Sequence, residues 1–441
     1  MRNRAGAQSD ANDSTQRLSV VFVVAHDSLG GAARAVYRIF DSIRGSFSDS
    51  IDIRMRTIHK TRDDADVVGG KPSRSRLEYL EYFVRTRWRK YFPRKPFVSD
   101  NTLLHSVAIH HSGLGRELNT RRPDVIMLGW LGGRTLSIPE IGRLKSPVVW
   151  RLSDMWMFSG AEHYTPTRRY AEGYSRSSRP PHESGPDLDR ETFLRKKRHW
   201  KTPRHVITPS HWMAEQVQLS TLTHDWPVHV IPNPIDTDYW KPRAHLQSRE
   251  ALGLPHNARV IAFGTGGGTK HHHKGGDLLL EALPGVAKLM RDAGDNVPVV
   301  CVVFGEERER EVHGGIEVRF IGHVNDEELQ QVYSAADVMV VPSRLDNLPS
   351  TAVEAQACGT PVVAFRVGGL PDIVEDGVTG LIVEPFDVDA LSDAIASLLS
   401  DSATRGRMGE AARLRANTLW HPDVIARKYV EVLRLAAGRA Q

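Results

Sequence analysis

Short runs of β-branched and other apolar residues alternate along the chain with segments of helix length. The first half carries LSVVFVVAH, DVIMLGW, SPVVWRLS and RHVITPS; the second carries ARVIAFG, VPVVCVVFG, EVRFIG, ADVMVVPS and TPVVAF. Apolar runs without polar alternation belong to strands covered on both faces, which is the condition of a parallel sheet packed between helices. The pattern occurs twice. It predicts an α/β protein of two doubly wound, Rossmann-like domains facing a central cleft. The proline-rich stretch VIPNPIDTDYWKP between them cannot continue a helix and reads as a stiff connector, with the domain boundary near Pro234.

The composition fits this plan. The chain has 441 residues, of which 40% are hydrophobic, enough for two or three domains that each bury a core. Its two cysteines, Cys301 and Cys358, lie in apolar segments and offer neither a disulfide framework nor a thiolate zinc site, which suits a reducing cytoplasmic compartment. No apolar run approaches the roughly 20 residues of a membrane span, and the polar start reads as a disordered tail over residues 1–17, without the apolar stretch of a secretion signal. The charge is uneven: residues 1–230 hold 37 basic against 24 acidic side chains, residues 231–441 hold 21 against 29. The basic first half suits an anionic surface, although solvated basic faces are common without one.

Open α/β sheets bind ligands beyond the carboxyl ends of their strands, so the loops there are where chemistry is expected. Two are glycine-rich, HDSLGGAARAVYRIF with Gly30 and Gly31, and FGTGGGTKHHHKGGDLLLEAL. Glycine lets the backbone approach a ligand, and a following helix presents its positive end to phosphate. Neither loop fits the dinucleotide or Walker pattern. In the second, Lys270 and Lys274 bracket three histidines and point to a diphosphate; three consecutive histidines diverge and make a poor metal site. A third segment, RLDNLPSTAVEAQACG, sets Asp346 in a loop and Glu354 about one turn into a helix whose first turn accommodates Pro349. Both carboxylates then face one ligand beside the backbone of Asn347, Leu348 and Ser350. The plain alternative makes Asp346 a loop cap and Glu354 a surface residue.

The stretch ADVMVVPSRLDNLPSTAVEAQACGTPVVAFRVGGLPDIVEDGVTGLIVEP resembles the donor-site signature of the retaining, nucleotide-sugar-dependent glycosyltransferases of the GT-B fold, family four. HDSLGGAARAVYRI, VITPSHWMAEQV, VIPNPIDTDYWKP and HHHKGGDLLLEAL resemble further motifs of that family in the same order, from about Leu18 to the end. The resemblance implies a first, acceptor-side domain over 18–233, a nucleotide-sugar domain over 234–419 and a last helix within 420–441 that crosses back to the first domain. It implies that Glu354 binds the ribose, Asp346 the donor sugar and Lys274 the diphosphate. Gly30 and Gly31 match the glycine loop of the first domain, and Val324 falls where the nucleobase packs. It further implies a metal-independent transfer with retention and no cofactor besides the nucleoside-diphosphate sugar. Asp346 would then orient the sugar and not attack it.

The chain departs from the exopolysaccharide subgroup that it resembles most. LGW at Leu128 to Trp130 and LSD at Leu152 to Asp154 replace segments that carry histidines there, leaving Ser153, Asp154, His163 or His26 as substitutes on the acceptor side. The subgroup's cysteine cluster is also missing from GAEHYTPTRRYAEGYSRSSRPPHESGPD, a polar segment expected to be mobile. Residues 76–97, RLEYLEYFVRTRWRKYFPRKPF, interleave basic and aromatic side chains; over 79–97 they suit an anionic membrane surface and a lipid-linked or glycan acceptor. No recognised nucleic-acid module accompanies them. Together these features predict a glycosyltransferase of polysaccharide or glycolipid synthesis, cytoplasmic or peripheral at the inner face of the membrane. The alternatives are a catalytically silent binder of nucleotide or glycan, or a sugar-nucleotide epimerase or hydrolase on the same fold.

Overall fold

The computed structural model describes residues 17–70, 104–132, 135–264, 269 and 272–439. The chain forms two compact units. One comprises residues 1–208, 214–231 and 426–441; the other comprises 209–213 and 232–425. The basic and aromatic stretch 76–97 and Lys270 lie outside the described residues.

The first unit is built on seven strands: β1 (Leu18–His26), β2 (Ile51–His59), β3 (Val67–Val68), β4 (Val125–Leu128), β5 (Val148–Arg151), β6 (His205–Thr208) and β7 (Val228–Val230). They run in the order β3-β2-β1-β4-β5-β6-β7, and every pair is parallel. The helix Gly30–Phe47 buries Ala33, Val36, Ile39, Phe40 and Ile43, the stripe that a period of 3.6 places on one face, against β1 and β2. Connections of this kind put every strand's carboxyl end on the same edge of the sheet.

The second unit repeats the plan with β8 (Arg259–Gly264), β9 (Val299–Phe304), β10 (Glu311–His313), β11 (Ile316–Phe320), β12 (Val338–Val341), β13 (Val362–Phe365) and β14 (Gly380–Val383). Their order is β10-β11-β9-β8-β12-β13-β14, with only β10 and β11 antiparallel. Successive strand residues enter opposite core layers. Val260 and Ala262 lie in one with Val300, Met339 and Ala364; Ile261 and Phe263 lie in the other with Cys301, Val340 and Phe365. This two-sided burial is why the runs are apolar throughout. Both cysteines are free and buried, and burial pushes the Cys301 thiol up to about 12. No helix among the described residues is long and apolar enough to cross a membrane.

A buried ion pair pins the second sheet's outer helices. Arg249 donates to Asp337 at 2.8 Å and to the carbonyls of Ala335, His256 and Ala258, while Asp337 also accepts the Val260 N–H at 2.7 Å. Arg405 also reaches Asp337, Nε to Oδ1 3.2 Å, so Arg249→Met leaves the carboxylate one cationic partner and is expected to cost about 2–3 kcal/mol in denaturant unfolding, the loss of buried charge-assisted hydrogen bonds. In the first unit, His205 and His229 stack at 5.3 Å with ring nitrogens 3.0 Å apart, and burial lowers both pKa values. A depressed folded-state pKa gives stability that is present above the unfolded value of about 6.5 and lost as pH falls through the folded values. Thermal melts of the wild type should therefore fall between pH 7 and 5, and His229→Gln should flatten that slope.

Candidate functional site

In the second sheet β8 and β12 are neighbours, and the chain leaves them toward opposite edges, which makes the gap between their carboxyl ends the topological switch point. From β8 the chain reaches a short 3-10 turn, His272–Lys274, and the helix Gly276–Asp292; from β12 it passes Pro342 to Pro349 into the helix Ser350–Ala357. The two loops touch where neither has room for a side chain. Gly275 has φ +70°, and a Cβ there would lie 1.8 Å from the Pro342 carbonyl oxygen. Arg344 fastens the contact with two 2.7 Å bonds to Asp277, one to the His272 carbonyl at 2.8 Å, and its own N–H to the His273 carbonyl at 2.8 Å. Arg344 holds the Asp277 carboxyl below the usual carboxylate range.

This crossing sets Lys274 on Asp346, Nζ to Oδ2 2.5 Å. Asp346 also accepts from the Asn347 N–H at 3.0 Å and the Ser343 hydroxyl at 3.4 Å. Its loop is held from the far side by a second close passage: a Cβ at Gly368 would meet the Asp346 carbonyl at 1.8 Å, and one at Gly369 the Asn347 carbonyl at 1.7 Å. Asn347 is buried and takes the Ser210 hydroxyl, of the same unit, at 2.7 Å. Glu354, only 5% exposed, accepts from Tyr333 at 3.3 Å; burial, then the Glu354 charge, raises the Tyr333 hydroxyl well above its ordinary value. Lys274, Asp346, Asn347, Ser350 and Glu354 thus stand on elements that meet at the switch point. Pro349 is a correction: with ψ 122° it precedes the helix as its N-cap residue and is outside the first turn. No side chain caps that end, and its first turn carries no acidic residue. Leu348 is buried in the core and Val324 packs against the same cluster, so Leu348 offers a ligand its backbone.

The remaining candidates lie in the first unit. Gly30, with φ +82°, and Gly31 begin the helix after β1, and a Cβ at either meets nothing. Beyond β4 and β5 a shallow concavity is lined by Trp130, Ser153, Asp154, Trp156 and His163, among others. Asp154 accepts His163 Nδ1 at 2.5 Å, Trp130 Nε1 at 2.8 Å and the Trp156 N–H at 3.0 Å. With the proton on Nδ1 and donated to the carboxylate, His163 Nε2 accepts from the Ser106 hydroxyl at 2.7 Å. Ser153 hydrogen-bonds Arg151 through its hydroxyl. His26 stacks on His59 at 4.5 Å, and its ring lies 6.3 Å from Trp130. Burial, then His59, lowers the His26 pKa.

Residues 248–415 match the family described as glycosyl transferases group 1. Curated relatives include the D-inositol 3-phosphate glycosyltransferases of Corynebacterium glutamicum (strain R), 37% identical over 43% of this chain and 48% of the relative, and of Saccharomonospora viridis, 35% identical over 48% and 52%. The chain spans about half the length of the curated relatives it matches. Solved structures extend the likeness to the whole fold. A glycosyltransferase from Rickettsia africae aligns with a TM-score of 0.65 at 15% identity, over 95% of this chain and 98% of that one; Anabaena HepE with UDP and glucose aligns at 0.62 and 17%, over 95% and 100%. Both units are Rossmann-like, and the fold is GT-B.

The sequence motifs single out Lys274, Asp346 and Glu354 but not Arg344, Asp277 and the glycines at the crossings, whose partners are distant in sequence. In the first unit the missing histidine of LGW has a steric reason: a Cβ at Gly129 would lie 2.8 Å from Val24 and 3.0 Å from Val36. The segment after LSD is also unlike the expected mobile loop. Ser159, Glu162, His163, Thr165, Arg169, Tyr170 and Tyr174 are buried in it. Lys196 beneath was overlooked, although Asp189, Thr192, Phe193, Lys196 and Trp200 form a buried stripe at helical spacing. Gly275→Ala is expected to lower stability by about 2–3 kcal/mol or more, about 5–10 °C in the melt of the second unit. Gly406→Ala, in an open helical position with no atom within 4 Å, should leave it unchanged or slightly raised.

Proposed function

We propose that the protein is a retaining glycosyltransferase that moves a sugar from a nucleoside-diphosphate sugar to an acceptor hydroxyl. The observation that carries this is the Lys274–Asp346 contact beside the uncapped start of the helix Ser350–Ala357, inside the domain that matches the group 1 family. The barrier to transfer is charge gathering on the leaving diphosphate. An ammonium and a helix N-terminus, fixed beforehand by the crossing at Gly275, stabilise that charge without reorganising. No metal ion or cofactor is needed in this scheme. Lys274, with Lys270, would hold the diphosphate, and Asn347, Leu348 and Ser350 would lend it backbone N–H groups. Asp346, released from Lys274, would orient the sugar, Glu354 would hold the ribose, and Val324 would pack the base. The contact with Lys274 holds Asp346 close to the phosphate site, which suits a carboxylate that binds hydroxyls.

In the first unit, Asp154, Ser153 and His163 would receive the acceptor with Gly30 and Gly31. HepE has been solved with UDP and with UDP-glucose, which makes UDP-glucose the first donor to test. Our acceptor is a lipid-linked or cell-surface glycan, met by a cytoplasmic protein at an anionic leaflet through residues 79–97; the basic first half supports this. The inositol-phosphate relatives favour a second reading, a phosphorylated polyol as acceptor.

Calorimetry against UDP and GDP sugars tests the donor site. Lys274→Met and Glu354→Gln should each weaken donor binding roughly ten- to a hundredfold, the worth of one charge-assisted hydrogen bond, whereas Asp346→Asn should reduce turnover more than binding of free nucleotide. Anomeric analysis of the product by NMR tests retention. A wild type that binds no nucleoside diphosphate would sink the proposal.

A further inference from the structure

Lys196 lies in the helix Leu188–His199 and is fully buried. Its ammonium donates to three carbonyls of a single loop: Trp156, Ser159 at 3.1 Å and Gly160 at 2.6 Å. The Trp156 ring lies 4.2 Å from Nζ on one side. An ammonium has three protons, and all three are used. The loop itself would not turn three carbonyl oxygens toward one point, because their dipoles repel unless a cation or donor sits between them.

That loop joins the two side chains of the first unit's concavity. Asp154 stands at its start and His163 at its end, and they meet at 2.5 Å. Further buried ties run along it. Met155 N–H donates to the His163 carbonyl at 2.8 Å, Gly160 N–H to the Tyr174 hydroxyl at 2.8 Å, and Ala161 N–H to Asp189 at 3.1 Å. Tyr174 hydrogen-bonds Glu162, and His105 lies 3.4 Å from Asp189. Burial and the neighbouring Asp189 carboxylate push Glu162 up to about 8, so at neutral pH it stands mainly as the acid. The ammonium faces Glu162, Asp154 and Asp189 with Arg195 as the nearby cation, and burial opposes its charge.

We propose that Lys196 is a positioning residue for the Asp154–His163 pair: by gathering the Trp156, Ser159 and Gly160 carbonyls it folds the loop so that the carboxylate and imidazole are held in contact. This rests on the reading of that pair as acceptor-side groups. Lys196 itself touches no substrate in this scheme; its effect passes through the backbone to two side chains that it does not bond.

The test reads the pair directly. In the wild type, the His163 Nδ1 proton, held by Asp154, should give a protected downfield resonance in the proton NMR spectrum, and Asp154→Asn should abolish it. Lys196→Met, nearly the same size, is expected to lose that resonance while keeping a cooperative melt, and in sugar transfer to lower kcat at least tenfold with the donor KM unchanged. A resonance of unchanged position and intensity in folded Lys196→Met would overturn the proposal. Should that variant not fold, Lys196→Gln, which keeps an uncharged donor, is judged by the same resonance. The resonance reports geometry and is kept or lost whether or not sugar is transferred, so a wild type without transferase activity counts against the functional reading alone.

Discussion

The candidate donor site rests on chain crossings too tight for any side chain. At Gly275 the turn after β8 passes the Pro342 carbonyl, and at Gly368 and Gly369 another segment passes the carbonyls of Asp346 and Asn347. A methyl group at any of the three would sit within 2 Å of a backbone oxygen. The Asp346 loop is therefore gripped from both sides, and the Lys274 and Asp346 positions follow from backbone geometry before any side-chain bond is counted. Arg344 then adds direction, since a guanidinium bonded in parallel to Asp277 leaves its stem little freedom. A rigid frame of this kind matters for a leaving phosphate, because donors that need no reorganisation stabilise charge most effectively.

The two units hold their central carboxylates by different means. Asp346 is paired with a full positive charge, an arrangement that an incoming anion can exchange with: in the proposed function a diphosphate would compete for Lys274 and free the carboxylate for hydroxyls. Asp154 is held by an indole N–H, a backbone N–H and an imidazole, three donors fixed in the fold. It has no mobile partner to give up. The first arrangement suits ligand exchange and the second suits a group that must keep its orientation. His163, with Asp154 on one nitrogen and Ser106 on the other, serves to fix that orientation and has no ring nitrogen turned to the acceptor as a base.

The strands were legible because each lies between two core layers and so carries an unbroken apolar run, as Val260 to Phe263 do. Asp346, Glu354 and Lys274 were legible by their spacing in a recurring motif, and the helix start between the carboxylates by Pro349. The partners that hold them were not. Arg344 and Asp277 lie 67 positions apart, and nothing local marks them as a pair. Lys196 sits in LRKKRH, which reads as a solvated basic face, and only the apolar and small neighbours on its own stripe betray its burial. The segment 160–187 divides: its first half, to Tyr174, buries polar groups that satisfy one another in a packed loop, and its second half is exposed as its polarity suggests.

This bears on what replaces the two absent histidines. At Gly129 a Cβ would press on the Val24 and Val36 methyls, so no side chain fits unless those valines shift. At Ser153 the hydroxyl is engaged by Arg151, whose buried head belongs to β5. Trp130, next to Gly129, and His163, from the far end of the loop, both line the same concavity. The Asp154–His163 contact holds only if the loop is rigid, since a histidine nine residues away from its carboxylate in sequence has many other places to be. The buried ammonium of Lys196 and the Glu162, Tyr174 and Asp189 cluster beside it supply that rigidity. In a polar loop without cysteines, they are the means by which a conformation can be specified.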